Sequence, residues 1–245
     1  RSIAVTGVQT CALPIYVLQI QLNRLDKKNA LSGAMYRAMT QALLAAAQDD
    51  TVHVVLLTGQ PGSFCAGNDL QDFIEAGALD SEHPTVQFLH ALTQFEKPLV
   101  AAVDGLAIGI GTTALLHCDL VYATASSRFQ MPFTALGLCP EAASSLLLPK
   151  LIGYQKAAQY LLLGEPFDGN QAFQMGLVNQ LAEPEDLKVL AMQKAQQLAG
   201  LPQQAVRRSK ALLKQPLKDQ VQHVLHQELA EFEQLLHSAE CKQAL

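Results

Sequence analysis

Glu141 is the only acidic residue between Asp119 and Glu165, set in the run GLCPEAASS (137–145) of otherwise small, apolar and neutral residues. A carboxylate in such surroundings is either a helix-start residue left in water after Pro140, or an acid placed in a dry pocket, because burying a charge alone is costly. In a dry pocket it would serve as a general base, since desolvation raises a carboxyl pKa toward that of a carbon acid. Two glycine loops offer the complementary half of that chemistry. In FCAGNDL (64–70) Gly67 permits close approach and the next amide belongs to Asn68. In GLAIGIGTT (105–113) Gly109 and Gly111 flank Ile110, where an apolar strand turns into a helix. Main-chain N–H groups at a helix start lack partners and favour developing negative charge. Two of them brought together make an oxyanion hole, each donor being worth ~2.7–4 kcal/mol of transition-state stabilisation. Taken singly, either loop is better explained by tight packing.

Other candidates carry less. Cys11, Cys65, Cys118, Cys139 and Cys241 show no paired spacing, which argues for a reduced compartment; Cys65 and Cys139 read as small buried residues. His223 and His226 have i, i+3 spacing but no third ligand at suitable distance, so no metal is expected. GIGTTA lacks the third glycine and the downstream acid of a dinucleotide site. Asp104 before Gly105 reads as turn chemistry, Asp69 as the cap of a following helix, and Thr112 and Thr113 as helix-internal hydroxyls.

These groups have to be positioned by a chain that is 49% hydrophobic and 16% charged over 245 residues, a composition that reads as globular and oligomeric. The net charge of −5 excludes a nucleic-acid protein; the one basic cluster, VRRSKALLK at 206–214, suits a small polyanion, with Lys210 or Lys214 reaching it. No apolar run reaches the ~18–20 residues that span a bilayer, so no membrane contact is expected. The opening RSIAVTGVQTCALPI resembles the conceptual translation of a sequencing-library adaptor, and residues 1–15 are set apart as a non-native segment and left out of the fold argument, with a short native β-strand as the alternative.

From Tyr16, YVLQIQLNR alternates as a half-buried strand, and a helix follows Ser32 as N-cap. VHVVLLTG is a buried strand ending at Gly59, HPTVQFLHALTQFEK a helix stopped before Pro98, and PLVAAVDGLAIG one buried strand. LVYATASSRFQM supplies two short strands, and QMGLVNQL a turn and a last strand. The unit is thus strand, strand, helix, over residues 16–185. Residues 186–245 read as amphipathic helices, with Val221, Leu225, Leu229 and Phe232 forming an apolar stripe that suits contact with another subunit.

The ordered set LQIQLNRLDKKNALS, FCAGNDL, KPLVAAVDGLAIG, CDLVYA, FQMPFTALGLCPEAASSLLLPKLIG and MGLVNQL resembles the crotonase (enoyl-CoA hydratase/isomerase) superfamily over essentially all of the chain after residue 16. The resemblance implies an α/β fold, a ββα spiral core with a helical C-terminal region that trimerises, often into hexamers. It also implies acyl-CoA substrates with no separate cofactor, and an enolate held by two main-chain amides, here those of Asn68 and Ile110. Hydratases of the family use two glutamates to hold water. Their positions fall here on Thr113 and Phe133, neither of which serves as a carboxylate. Glu141 in CPEAASS instead looks like the single acid of peroxisomal-type Δ3,Δ2-enoyl-CoA isomerases, and the chain is expected to act as one in the cytoplasm. Moving a C3=C4 double bond to C2=C3 removes a proton at C2 and returns one at C4 of a single dienolate, so one base suffices. The resemblance further implies that Lys27, Lys28, Ala30 and Ala66 line the CoA groove, with Asp69, Leu70, Gly109, Phe133 and Pro140 against the substrate. A weak hydratase on the same oxyanion hole, or a non-catalytic CoA-binding module, are the alternatives.

Overall fold

The computed structural model describes residues 3–5, 7–13, 16–71 and 78–244. Within it the apolar strands separate cleanly by parity. Val17, Val54, Leu56, Val100, Ala102 and Tyr122 face one side of a sheet and meet Leu187, Ala191, Ala195 and Ala199 of a single helix. Ile20, Val55, Leu57, Ala101, Val103, Val121 and Ala123 face the other side and join the main core. Strands buried on both faces need continuous Val, Leu and Ala runs, which is what VVLLT and LVAAV supply.

The chain order is β1 (Ile3–Val5), β2 (Val8–Leu13), β3 (Val17–Leu22), α1 (Gly33–Gln48), β4 (Val54–Thr58), β5 (Ser63–Cys65), α2 (Pro84–Gln94), β6 (Leu99–Val103), β7 (Leu106–Ile108), α3 (Ile110–Thr113), β8 (Leu120–Ala123) and β9 (Arg128–Gln130). There follow α4 (Ser144–Ile152), α5 (Tyr154–Leu162), β10 (Phe167–Asp168), α6 (Gly169–Gln174), β11 (Gln180–Leu181), α7 (Pro184–Ala199), α8 (Gln203–Lys214), α9 (Lys218–Leu236) and α10 (Ala239–Ala244). The larger sheet runs β1-β2-β3-β4-β6-β8-β11, parallel from β3 onward, and the smaller runs β10-β9-β7-β5. Each pair β4–β5, β6–β7 and β8–β9 sends its first strand to the larger sheet and its second to the smaller. The strand–strand–helix period is therefore a spiral of two sheets and not a doubly wound layer.

PLVAAVDGLAIG, expected as one strand, is two. Asp104 and Gly105 turn the corner between the sheets. Gly105 has φ +75°, and a Cβ there would lie 2.0 Å from the Gly62 carbonyl oxygen, so only glycine fits. Asp104 accepts from the Gly62 amide at 2.8 Å and from the Thr124 hydroxyl at 3.3 Å, pinning the corner to both neighbouring turns of the spiral. Ser32 caps α1 as expected, its hydroxyl accepting from the Met35 amide at 3.3 Å.

Residues 1–15 were set apart as a non-native segment, and the described part of them pairs onto the sheet edge. Val8–Leu13 pairs antiparallel with Val17–Leu22 in continuous register, and Ile3–Val5 pairs onto it. Pairing on a sheet edge uses main-chain donors and acceptors that any sequence possesses, so it is indifferent to the segment's origin.

The C-terminal helices belong to the same core. Leu225, Phe232, Leu236 and Cys241 are buried in the main cluster, so the stripe expected to face another subunit packs largely within its own. Lys210 likewise turns inward. It pairs with Asp119 at 2.7 Å and donates to the Lys97 carbonyl at 2.7 Å, while Lys214 donates to the His117 carbonyl at 3.0 Å. Both lysines thus tie α8 to the core, and for the buried Lys210 the expectation of a phosphate contact is corrected. Among the described residues no helix is long and apolar enough to cross a membrane.

Candidate functional site

The β5 and β7 ends of the smaller sheet bring the two glycine loops together. Gly67 has φ +94° and Gly109 φ +55°. A Cβ on Gly67 would lie 3.2 Å from the Ile108 carbonyl oxygen, and one on Gly109 would lie 3.9 Å from the Gly67 Cα. Gly111 presses α3 onto β5, where an added Cβ would sit 2.7 Å from the Cys65 carbonyl oxygen. The Leu31 amide donates to Gly67 and the Asp69 amide to Leu31, leaving the intervening Asn68 amide unused by this ladder. Ile110 is the first residue of α3, where the main-chain N–H has no helical acceptor. Among the described residues neither amide has a hydrogen-bond partner.

A cavity of about 90 Å³ lies over these two loops. Its wall includes Ala66, Asn68, Leu70, Gly109, Ile110 and Phe133, with Glu141 as the one ionisable side chain among the described residues lining it. Leu136, Leu138, Phe232 and Leu236 close the apolar end. That volume exceeds the ~10–15 Å³ that holds one water and falls short of the ~150 Å³ that holds a benzene ring. It therefore suits a short stretch of acyl chain. Lys27, Lys28, Ala30, Asp69 and Pro140 are not in its wall. The Lys28 carbonyl accepts from the Ala66 amide at 3.1 Å and from the Ser63 hydroxyl at 2.7 Å, which lays the 24–31 turn alongside the β5 loop. Asp69 pairs with Arg24 at 2.8 Å. The helix it was expected to cap falls on residues that include 72–77, which lie outside the described residues.

Glu141 is buried, only 4% exposed, which rules out the surface-helix reading. Its pKa is pushed up to about 8, first by burial and then by the charge of Glu228, with a smaller opposing effect from the Thr113 hydroxyl. Thr113 is near enough to be felt but outside hydrogen-bond geometry, since neither its Oγ1 nor Glu141 Oε1 has a partner among the described residues. The surroundings stay neutral. Burial pushes the Cys65 thiol up to about 12 and Tyr36 well above its ordinary value, and the buried His117 falls to about 4. Tyr36 donates its hydroxyl proton to Asn68 Oδ1, holding a residue of the cavity wall. Cys139, half-buried and also raised to about 12, is no thiolate either. Thr112 is helix-internal as expected, its hydroxyl donating to the Ala107 carbonyl.

The sequence reading missed the supports of the site. Tyr36, His117 and Glu228 each hold a site loop, and Phe232 and Leu236 arrive from far along the chain. One signal was available: Glu228 falls on the same helical face as Leu225 and Phe232, a charge inside an apolar stripe.

The elevated Glu141 pKa has a stability consequence. The folded state holds this proton more tightly than the unfolded chain, so the carboxyl weighs least on stability below the ordinary value of 4.5. Its cost grows as pH rises from there through about 8. Glu141→Gln is therefore expected to raise Tm relative to wild type more at pH 9 than at pH 5, as read by thermal unfolding at the two pH values. An equal difference at both would contradict the burial of an ionising group.

A ββα spiral carrying two such amides over a buried acid is the frame on which crotonase-fold enzymes process acyl-CoA thioesters. Comparison with family models places the chain accordingly: residues 15–245 match enoyl-CoA hydratase/isomerase, and the chain belongs to that family. Rat enoyl-CoA delta isomerase 2 is 34% identical over 94% of this chain, which spans 60% of that protein's length. A 2,3-dehydroadipyl-CoA hydratase of Escherichia coli (strain K12) is 36% identical over 86% of this chain and 84% of its own. The solved structure of OdaA from Pseudomonas aeruginosa superimposes with a TM-score of 0.95 at 42% identity, covering 98% of this chain and 97% of that one.

Proposed function

We propose that the protein is a Δ3,Δ2-enoyl-CoA isomerase in which Glu141 carries a proton from C2 to C4 of an unsaturated acyl-CoA. The observation that carries this reading is that the cavity lined by Asn68 and Ile110 has, among the described residues, a single ionisable side chain, poised near neutral pH. The thioester oxygen rests on the two amides. Glu141 removes the C2 proton as charge moves onto that oxygen, and the extended dienolate takes the proton back at C4. The apolar wall, Phe133 included, keeps water from adding to the intermediate. Coenzyme A belongs to the substrate, with Lys27, Lys28 and Ala30 at the turn beside Ala66 offered as its neighbours, and no separate cofactor enters. The 2,3-dehydroadipyl-CoA hydratase relative makes hydration the reading to exclude, and two side chains oppose it: Phe133 in the cavity wall cannot hold water, and the buried Thr113 cannot supply a second carboxylate.

Incubation with a 3-enoyl-CoA is expected to give the conjugated 2-enoyl-CoA. Incubation with a 2-enoyl-CoA in water is expected to give no 3-hydroxyacyl-CoA above background. The reverse pattern would establish a hydratase, and no reaction of either thioester would leave a binding module. Acyl length is expected to be limited by Phe232 and Leu236. Phe232→Leu enlarges the apolar end and should shift kcat/KM toward the next longer acyl chains by several-fold, at less than the ~3–5 kcal/mol stability cost of Phe→Ala. A chain-length series reads this directly, and an unchanged profile would place the acyl tail elsewhere. Assembly as a homotrimer or hexamer, in the cytoplasm, completes the proposal. Leu212 and Leu213, 74% and 81% exposed, offer apolar surface for the contact, and a monomer by native mass spectrometry would remove it.

A further inference from the structure

Behind Glu141, on the side away from the glycine loops, lies a second carboxylate that the proton transfer does not use. Glu228 of α9 is buried, and its Oε2 accepts from the Ala143 amide at 2.6 Å. Its Oε1 accepts from the Ser145 amide at 2.9 Å and from the Ser145 hydroxyl at 2.5 Å. Three donors thus converge on two oxygens, an arrangement that a carboxylate satisfies and an amide side chain does not, because its NH2 would face an N–H. The residues held this way follow directly on Glu141. Ala142 and Ala143 have φ of 59° and 55°, the left-handed region that costs an L-residue ~1–2 kcal/mol. From the opposite side His117 donates its Nε2 proton to the Ala142 carbonyl at 2.7 Å. Glu141 and Glu228 both line a void of about 10 Å³ between α9 and α2, room for one water at most.

We propose that Glu228 is a positioning residue for Glu141: it anchors the strained turn that aims the Glu141 carboxyl into the substrate cavity and lies across the small void from that carboxyl. The neighbours leave these two acids to act on each other. Tyr36 from α1 and Cys65 from β5 stay neutral because burial raises them, as does Cys139; His117 stays neutral because burial lowers it to about 4. Glu231 on α9 itself is exposed. No lysine or arginine among the described residues pairs with either acid. The proposal rests on Glu141 being the proton-transfer group, so its test reads Glu141 directly.

A carbon-13 carboxyl titration of the folded protein, with the Glu141 signal assigned by its loss in Glu141→Gln, gives that reading. In Glu228→Gln the Glu141 midpoint is expected to fall by about one pH unit, because a neighbouring negative charge has gone. In the same variant kcat should drop roughly ten- to a hundredfold with KM within about twofold, the signature of a misaimed group and not of lost binding. Glu228→Asp keeps the charge and is expected to bring the midpoint back toward wild type. A Glu141 midpoint unmoved by Glu228→Gln, or moved as far by Glu228→Asp, overturns the proposal. Should the Glu228 variants fail to fold, Ser145→Ala removes one of the three bonds. It is then expected to speed hydrogen exchange at the Ala143 amide and lower kcat severalfold at unchanged KM, and unchanged exchange and kcat overturn the idea. A wild-type protein that titrates as described yet transfers no double bond would remove the proposed reaction and leave the relation between the two acids standing.

Discussion

Glu141→Gln is expected to lower kcat for double-bond transfer by roughly 10²–10⁴-fold, the usual worth of a positioned proton-transfer group. The substitution keeps shape and burial, so the acyl-CoA dissociation constant should change by less than about twofold; isothermal titration of the inactive variant reads it. The magnitude follows from the absence of a substitute. No other ionisable side chain among the described residues lines the cavity, and the nearest neutral groups are held far from ionisation at neutral pH. The wild-type pH profile carries the same claim. The base must be ionised to accept a proton, so kcat/KM should rise with pH through a single limb whose midpoint in the free enzyme lies near 8, and this limb should vanish in the variant. A limb near the ordinary glutamate value would mean that water reaches the carboxyl. Retained turnover in Glu141→Gln would move the chemistry to another group.

Ile110→Pro is the second large effect, and it isolates one hydrogen atom. Proline at the first position of a helix is tolerated because its fixed φ suits the helix and its missing N–H would have had no helical partner. What disappears is the donor that the proposed mechanism sets against the thioester oxygen. Loss of one such donor costs roughly 10²–10³-fold in kcat. Ile110 is buried, so the lost side-chain volume must be separated from the lost donor. Ile110→Ala removes the volume and keeps the N–H, and should retain kcat within a few-fold while lowering Tm. Equal losses of kcat in the proline and alanine variants would show that packing, and not the amide, matters at this position.

How far these features could be read in advance divides along physical lines. The strand–strand–helix period, the Ser32 cap and the glycine loops were legible because their causes are local: side-chain alternation, a hydroxyl before a helix, a backbone that must approach closely. The corner at Asp104 was legible as a turn, but its splitting of PLVAAVDGLAIG between two sheets was not, since it depends on Gly62 arriving from forty residues earlier. Residues 1–15 show the converse. Their likeness to a translated adaptor spoke against them as native structure, yet an open edge at β3 accepts any extended main chain. Lys210 failed for a third reason, because a basic side chain on an amphipathic helix points to water or to a buried partner with the same periodicity. Asp119, ninety-one positions away, decides it. The supports of the site likewise come from α1, the turn after α3, and α9, and their convergence is a property of the spiral that no local window contains.

The most direct measurement of the central claim is a single-turnover reaction of 3-enoyl-CoA carrying deuterium at C2, run in ordinary water. One buried acid serving both carbons in a cavity that excludes bulk water should deliver a measurable fraction of that deuterium to C4 of the product. A C4 hydrogen drawn wholly from solvent at the shortest resolvable times, with the C2 label released to water, would contradict a single sheltered carboxyl as the carrier.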